Sequence, residues 1–318
     1  MKTMTAVAAC LMLGLAGPAF AQSHGAHGDH AAHGQAAAQG HQHADFESGR
    51  FHVRIDGPAS PVGDIILIPG LSSSPEVWDG LTEQLKGRYR IHRIHVQGFA
   101  GAPVEDNATG PVAAPVAEDI ARYIAEQNLN KPVVIGHSMG GTIGMMLAAR
   151  HPDSVGKLMV VDMIPFMGAM FAQPGVNPTV ESVTPAVEAM SAQTAAATDD
   201  AYRAQAAAAV TSMIKTESLR AGPLEDAATS NRVTSQNAYR ELLLTDLRPE
   251  LARITAPVEV LYVAFEFPGV TPEFTDGIYR MSYATLPGAE LKRIDNSAHF
   301  IMLDQPAVFA AEVNAFLE

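Results

Sequence analysis

The stretch that decides the fold is Pro132-Val-Val-Ile-Gly136-His-Ser138-Met-Gly140-Gly141. Its apolar residues predict a short buried strand that stops at Gly136. Ser138 follows between two glycines, in the pattern G-x-S-x-G, and residues 142–150 have the composition of a buried helix. Strand, tight turn and helix form the context in which such a serine acts as a nucleophile. The alternative interpretation is a glycine-rich loop with an incidental serine.

Glycine is needed on both sides of the serine for a steric reason. A serine on a sharp strand-to-helix turn is held in a strained backbone conformation. Neighbouring segments pass close to such a turn, and Gly136 and Gly140 have no Cβ to obstruct them. The turn also aims the first amide of the helix, that of Met139, at the position where an oxyanion would form. We expect His137 to point away from the serine and to be structural.

An earlier apolar run, residues 64–68, suits a strand that is buried on both faces of a parallel sheet. It is followed by Pro69-Gly70-Leu71 and three serines. A loop at this place can supply a second oxyanion donor from the amide of Leu71. The alternative is an ordinary loop between a strand and a helix.

The pattern of strand followed by helix recurs along the chain. Further strands are predicted at residues 51–55, 89–96, 157–162, 257–264 and 290–294. Repeated units of this kind predict an α/β fold with a mostly parallel central sheet and helices on both faces. The fold is predicted to occupy residues 49–318.

Residues 164–247 interrupt this alternation, since they are rich in alanine, methionine, serine and threonine. We interpret them as a helical cap inserted between two strands of the sheet. Five methionines lie in this segment or immediately before it: Met163, Met167, Met170, Met190 and Met213. They either line a pliable apolar pocket or simply pack in the core.

The first 48 residues predict an exported protein. Residues 1–21 have an early lysine, a short apolar run and small residues before Gln22, which is typical of a cleavable signal peptide. Cleavage is predicted after Ala21, with a periplasmic or secreted location. The only cysteine, Cys10, lies inside that segment, so the mature chain is expected to have no disulfide.

Residues 22–48 are predicted to form a disordered, His-rich linker. They contain half of the 12 histidines: His24, His27, His30, His33, His41 and His43. Neutral imidazoles in such a tail can bind Zn, Cu or Ni weakly. No catalytic metal site is predicted. The net charge of −13 makes nucleic acid an unsuitable partner, and no stretch of the mature chain is long and apolar enough to cross a bilayer.

From about residue 50 to 318 the chain resembles the α/β-hydrolase family. The resemblance depends on the Gly136-His-Ser138-Met-Gly140-Gly141 turn, on Pro69-Gly70-Leu71, and on Ser297-Ala298-His299-Phe300 near the end. It implies that Ser138 is the nucleophile and His299 its general base, with the amides of Leu71 and Met139 as oxyanion hole.

The resemblance also implies an acid that orients His299. The matching position, after the strand at residues 257–264, holds Glu266. Glutamate can hold the imidazole tautomer and stabilise the imidazolium, although its extra methylene requires a different loop. Asp162, after the preceding strand, is the alternative.

These residues predict a serine hydrolase that cleaves a small carboxylic ester through an acyl-enzyme and needs no metal or organic cofactor. The weakest alternative is a periplasmic metal chaperone that uses the His-rich tail, with the remaining domain as a passenger. Two further alternatives also remain open at this point. One is a perhydrolase or C–C hydrolase that uses the same triad. The other is a non-catalytic binding protein on the hydrolase fold, which the unusual loop around Glu266 favours.

Overall fold

The sheet of the computed structural model has seven strands within the described residues, which are 46–171, 177–266 and 269–318. Their bounds are β1 Phe51–Asp56, β2 Asp64–Ile68, β3 Arg90–Val96, β4 Val133–His137, β5 Lys157–Val161, β6 Val258–Tyr262 and β7 Glu290–Arg293. The spatial order is β1-β3-β2-β4-β5-β6-β7. Only β1 runs antiparallel to its neighbour, β3. The predicted, mostly parallel sheet is confirmed.

The central strands are apolar along their length because both of their faces are covered. Ile65 to Ile68 in β2 are fully buried, and so are Leu158 to Val161 in β5. Continuous apolar runs of this kind suit a parallel sheet between two helical layers. Two separate hydrophobic clusters lie on the two faces of the sheet, one around Ile66 and Val134 and the other around Leu67 and Ile135.

Helices of the α/β part are α1 Asp79–Leu85, α2 Ala113–Glu126, α3 Met139–Arg150, α8 Pro272–Ser282, α9 Ile301–Asp304 and α10 Pro306–Leu317. The third, α3, is buried from Met139 to Ala149. A helix that is apolar all round lies in the core of a protein. Its amino terminus is therefore fixed beside the carboxyl ends of β4 and β5.

Between β5 and β6 the chain forms the cap helices α4 Val180–Ala196, α5 Asp199–Ser212, α6 Ala221–Thr229 and α7 Arg232–Leu244. Three of them begin at side-chain N-caps: Thr179, Thr198 and Asn231 accept from amides three residues later. None of the residues of α5 is buried. From here on, "the cap" means residues 177–247.

A cap residue also caps a helix of the α/β part. The Glu241 carboxylate accepts hydrogen bonds from the amides of Val112, Ala113 and Ala114 at 2.6, 2.7 and 2.8 Å. These amides belong to the first turn of α2, where no carbonyl of the same helix is available. The carboxylate also lies at the positive end of the helix dipole. The cap and the α/β part therefore stabilise each other locally.

The predicted signal peptide, residues 1–21, and most of the predicted His-rich linker lie outside the described residues. Residues 46–48 are the exception, and for them the prediction of disorder is wrong. The Phe46 ring stacks on Phe51 and meets Tyr123 edge-on, and the Ser48 hydroxyl donates to Asp119 at 2.6 Å. Among the described residues, no helix combines the length and the apolar character needed to cross a membrane.

Candidate active site

Ser138 lies on the turn between β4 and α3 in a strained conformation, with φ of 53° and ψ of −119°. A Cβ at Gly136 would collide with the Gly140 carbonyl, and one at Gly140 would collide with the Ile68 carbonyl. The Ser138 amide donates to the Val161 carbonyl at 2.9 Å. The strain persists because the neighbouring strands and the glycines determine the path of the chain on both sides.

Two residues that follow strands meet beside this turn. Asp162 comes directly after β5, and its Oδ2 is 2.6 Å from Nδ1 of His299, which lies in the loop after β7. An ionised carboxylate only accepts, so Nδ1–H is the donor, and the lone pair of the neutral ring is on Nε2. The Asp162 side chain is 8% exposed and the His299 side chain 16%. A general base oriented by a buried acid is the arrangement that nucleophilic catalysis requires.

The other oxygen of Asp162 is held by two donors from the β6 side. Oδ1 accepts from the amide of Val263 at 3.1 Å and from the hydroxyl of Tyr279 at 2.9 Å. Burial, and secondarily the Asp162 charge, raise the pKa of Tyr279 well above its ordinary value, so this hydroxyl stays a donor. Sequence reasoning did not find Tyr279, because it lies on α8, and no local pattern shows that it reaches Asp162.

The prediction that Glu266 orients His299 is wrong. The Glu266 carboxylate instead forms an ion pair with Lys215 of the cap at 2.5 Å, and its side chain is 66% exposed. Asp162, the alternative, occupies the place at Nδ1 of His299. The physical reason is reach: Asp162 leaves its strand next to the site, whereas Glu266 lies four residues past β6 and points to the cap.

His137 does not point away from the site as expected. Its buried ring is 4.5 Å from the His299 ring, centroid to centroid, and its Nε2 is 3.0 Å from the His299 carbonyl. A carbonyl only accepts, so His137 Nε2 carries the proton. Burial, followed by the nearby His299, lowers the pKa of His137 well below its ordinary value. A neutral His137 therefore fixes the backbone that carries His299.

The two amides expected to form an oxyanion hole both belong to segments next to Ser138. Met139 is the first residue of α3, so its amide has no carbonyl of the same helix to bind. Leu71 lies in the 69–74 loop after β2. A Cβ on the preceding Gly70 would come within 3.2 Å of the Ser138 Cβ, so this loop runs directly past the serine.

A cavity of about 750 Å³ opens above Ser138, between the carboxyl ends of the strands and the cap. All five of the methionines singled out in the sequence line it, together with alanines of α5. Among the described residues, Ser138 and His299 both line this cavity, and no hydrogen bond joins their side chains. Contacts of this kind commonly tighten only when substrate binds.

The comparison with protein families matches residues 65–312 to the model described as "Alpha/beta hydrolase family". A curated relative, the pimeloyl-[acyl-carrier protein] methyl ester esterase of Klebsiella pneumoniae, is 27% identical over 251 residues. That alignment covers 77% of this chain and 90% of the relative.

Solved structures show the same fold. A hydrolase from Pseudomonas aeruginosa superimposes with a TM-score of 0.68 at 20% identity, covering 84% of this chain and 94% of that one. An esterase from Exiguobacterium antarcticum superimposes with a TM-score of 0.64 at 21% identity, covering 84% and 95%.

Proposed function

This chain belongs to the alpha/beta hydrolase family, and we propose that it is a serine esterase in which Ser138, His299 and Asp162 form the catalytic triad. The observation that supports the triad most is the 2.6 Å contact between Asp162 and His299 beside the strained turn of Ser138. The relative from Klebsiella pneumoniae, named as a methyl ester esterase, supports ester hydrolysis as the reaction.

In the proposed mechanism, Nε2 of His299 takes the proton of the Ser138 hydroxyl while the serine oxygen attacks the ester carbonyl. The negative oxygen of the tetrahedral intermediate accepts hydrogen bonds from the amides of Leu71 and Met139. The imidazolium then protonates the leaving alcohol, and an acyl-enzyme remains on Ser138. Water repeats the sequence in reverse and releases the acid. Asp162 stabilises the imidazolium and keeps the proton on Nδ1.

The lining of the cavity favours an uncharged, apolar acyl group. Among the described residues that line it, the carboxylates are Asp162 and Glu266, and neither lysine nor arginine takes part. Burying an acyl carboxylate there would leave it without a counterion, which is costly. The methionine side chains are flexible enough to fit acyl groups of different shapes.

The non-catalytic alternative loses its main support, because it depended on the unusual loop around Glu266. With Asp162 at His299, that loop does not need to supply the acid. Export by a signal peptide cleaved after Ala21 and weak metal binding by the His-rich tail remain predictions, since both concern residues outside the described part of the chain.

The test is a burst assay with p-nitrophenyl esters of increasing acyl length. Ser138→Ala is expected to lose at least about 10⁴-fold in kcat and the whole burst, because the nucleophile is removed. Ser154→Ala serves as the control, since Ser154 lies past the other end of α3 and does not line the cavity. The proposal fails if no ester is turned over and a fluorophosphonate does not label Ser138.

A further inference from the structure

We propose that the cap positions the oxyanion hole, with Ser235 and Asp226 holding the 69–74 loop that carries the Leu71 amide. The inference rests on the proposed function, since it concerns the stabilisation of an oxyanion during ester hydrolysis. It assigns a role to two cap residues that take no part in the chemistry themselves. Both are positioning residues.

The first anchor binds the residue next to Leu71. Ser72 has a positive φ of 53°, which is uncommon for a residue with a side chain. Its Oγ is 2.7 Å from the Oγ of Ser235 on α7, and Ser235 is 4% exposed. A strained residue persists only when its surroundings over-determine it. The hydrogen bond from the cap is one of those determinants.

The second anchor follows two residues later. One carboxylate oxygen of Asp226, on α6, accepts from both the amide and the hydroxyl of Ser74, at 2.9 and 2.7 Å. Hydrogen bonds to an ionised group are roughly twice as strong as those between neutral groups. Ser74 is 7% exposed, so water does not readily replace the carboxylate.

The opposite side of the loop rests on the catalytic turn. A Cβ on Gly70 would lie 3.1 Å from Nδ1 of His137 and 3.2 Å from Cβ of Ser138. Leu71 is therefore placed between a contact with the turn, at Gly70, and a bond to the cap, at Ser72. Oxyanion donors act only when they lie about 2.7–3.1 Å from the oxygen, so a small shift of the loop weakens catalysis.

A neighbouring bond between the cap and the α/β part avoids this loop and provides a matched control. Thr234 precedes Ser235 on α7, is fully buried, and donates from Oγ1 to the Asn107 carbonyl at 3.1 Å. Thr234→Val removes that hydroxyl and keeps the side-chain shape. The substitution therefore removes a hydrogen bond between the cap and the α/β part, as Ser235→Ala does. The segment it releases, around Asn107, has no expected oxyanion donor.

The experiment compares Ser235→Ala, Asp226→Ala and Asp226→Asn with Thr234→Val, using a p-nitrophenyl ester. We expect the two alanine variants to lose about 10-fold in kcat, with KM within about 2-fold, because an oxyanion donor acts in the transition state. A trifluoromethyl ketone, whose adduct with serine carries an oxyanion, should bind more weakly by a similar factor. Asp226→Asn retains an acceptor oxygen and should recover most of the activity.

Three results overturn the inference: unchanged kcat in both alanine variants, a loss confined to KM, or an equal loss of kcat in Thr234→Val. Thermal melts of each variant identify a global loss of fold. Because the two anchors are independent, the other alanine variant keeps the test decisive if one of them unfolds. If the unmodified protein hydrolyses esters but the variants behave like it, only this inference fails. If the unmodified protein neither turns over esters nor reacts with fluorophosphonate, the proposed function fails with it.

Discussion

The sheet and the cap are stabilised in different ways. The central strands β2 and β5 and the helix α3 are almost entirely buried. In the cap, α5 has no buried residue, and three helices begin at polar N-caps. Packing therefore dominates in the α/β part. The cap combines polar N-caps with a small apolar cluster of its own, in which Val183 and Val187 of α4 pack with Leu243 of α7. The difference teaches that α5, one wall of the cavity, depends less on burial than the strands whose ends carry Ser138 and Asp162.

The largest difference between the two regions is expected for substitutions of their acids, Asp162 and Glu266. Asp162 belongs to the buried strand ends, and Glu266 to an exposed ion pair with the cap. We expect Asp162→Asn to lower kcat by on the order of 10³–10⁴-fold, because it disturbs the tautomer of His299. Glu266→Gln should change kcat by at most about 3-fold, since an exposed ion pair contributes little. Steady-state kinetics on one ester measures both values of kcat. A larger loss in Glu266→Gln than in Asp162→Asn would mean that Glu266 is the acid of the triad.

A second prediction compares stability. Leu67→Ala in β2 removes a fully buried side chain and should lower the free energy of unfolding by about 2–5 kcal/mol. Val210→Ala in α5 removes methyl groups from a partly exposed side chain and should cost less than about 1 kcal/mol. Urea unfolding followed by circular dichroism gives both values. Equal losses would mean that α5 contributes to the core as a central strand does.

The third prediction, smaller than that for Leu67→Ala, concerns hydrogen bonds that join the two regions. The Asp304 carboxylate accepts from the amides of Ala298, beside His299, and of Lys215 and Thr216, which follow α5. Burial acts to raise the pKa of Asp304, but these backbone hydrogen bonds outweigh it and lower the pKa. The stabilisation is therefore present above the unfolded pKa of about 3.9 and is lost as the pH falls through the lower folded pKa.

Asp304→Asn should consequently lower the free energy of unfolding by about 1 kcal/mol at neutral pH, because both carboxylate oxygens accept and the asparagine side chain keeps only one acceptor oxygen. The difference from the unmodified protein should shrink below about pH 4. Urea titrations across a pH series test this, with Asp295→Asn in the same loop region as control, since its side chain is 70% exposed. A difference that stays constant down to low pH would contradict the assignment.

Much of the α/β part could be predicted from sequence because its information is local. Apolar runs mark the buried strands, and the glycines around Ser138 mark a turn that would clash with any side chain. The loop that holds His299 follows the last strand, as expected. The ends of the strands differ slightly: the strand predicted at residues 257–264, for example, is Val258–Tyr262.

The parts that could not be predicted depend on pairs far apart in sequence. Nothing near Glu266 shows that Lys215 will take its carboxylate, and nothing near Asp162 shows that Tyr279 will hold it. The direction of the His137 ring likewise depends on the carbonyl of His299. Such contacts are decided by how the elements dock and not by the periodicity of any one of them.

The lack of buried residues in α5 has a consequence for how readily the cavity can be altered. This helix lines the substrate cavity, yet its side chains add little to the core. Most substitutions that lower stability severely do so in buried positions. Substitutions in α5 can therefore reshape the cavity at little cost in stability, and they need no compensating change elsewhere in the chain.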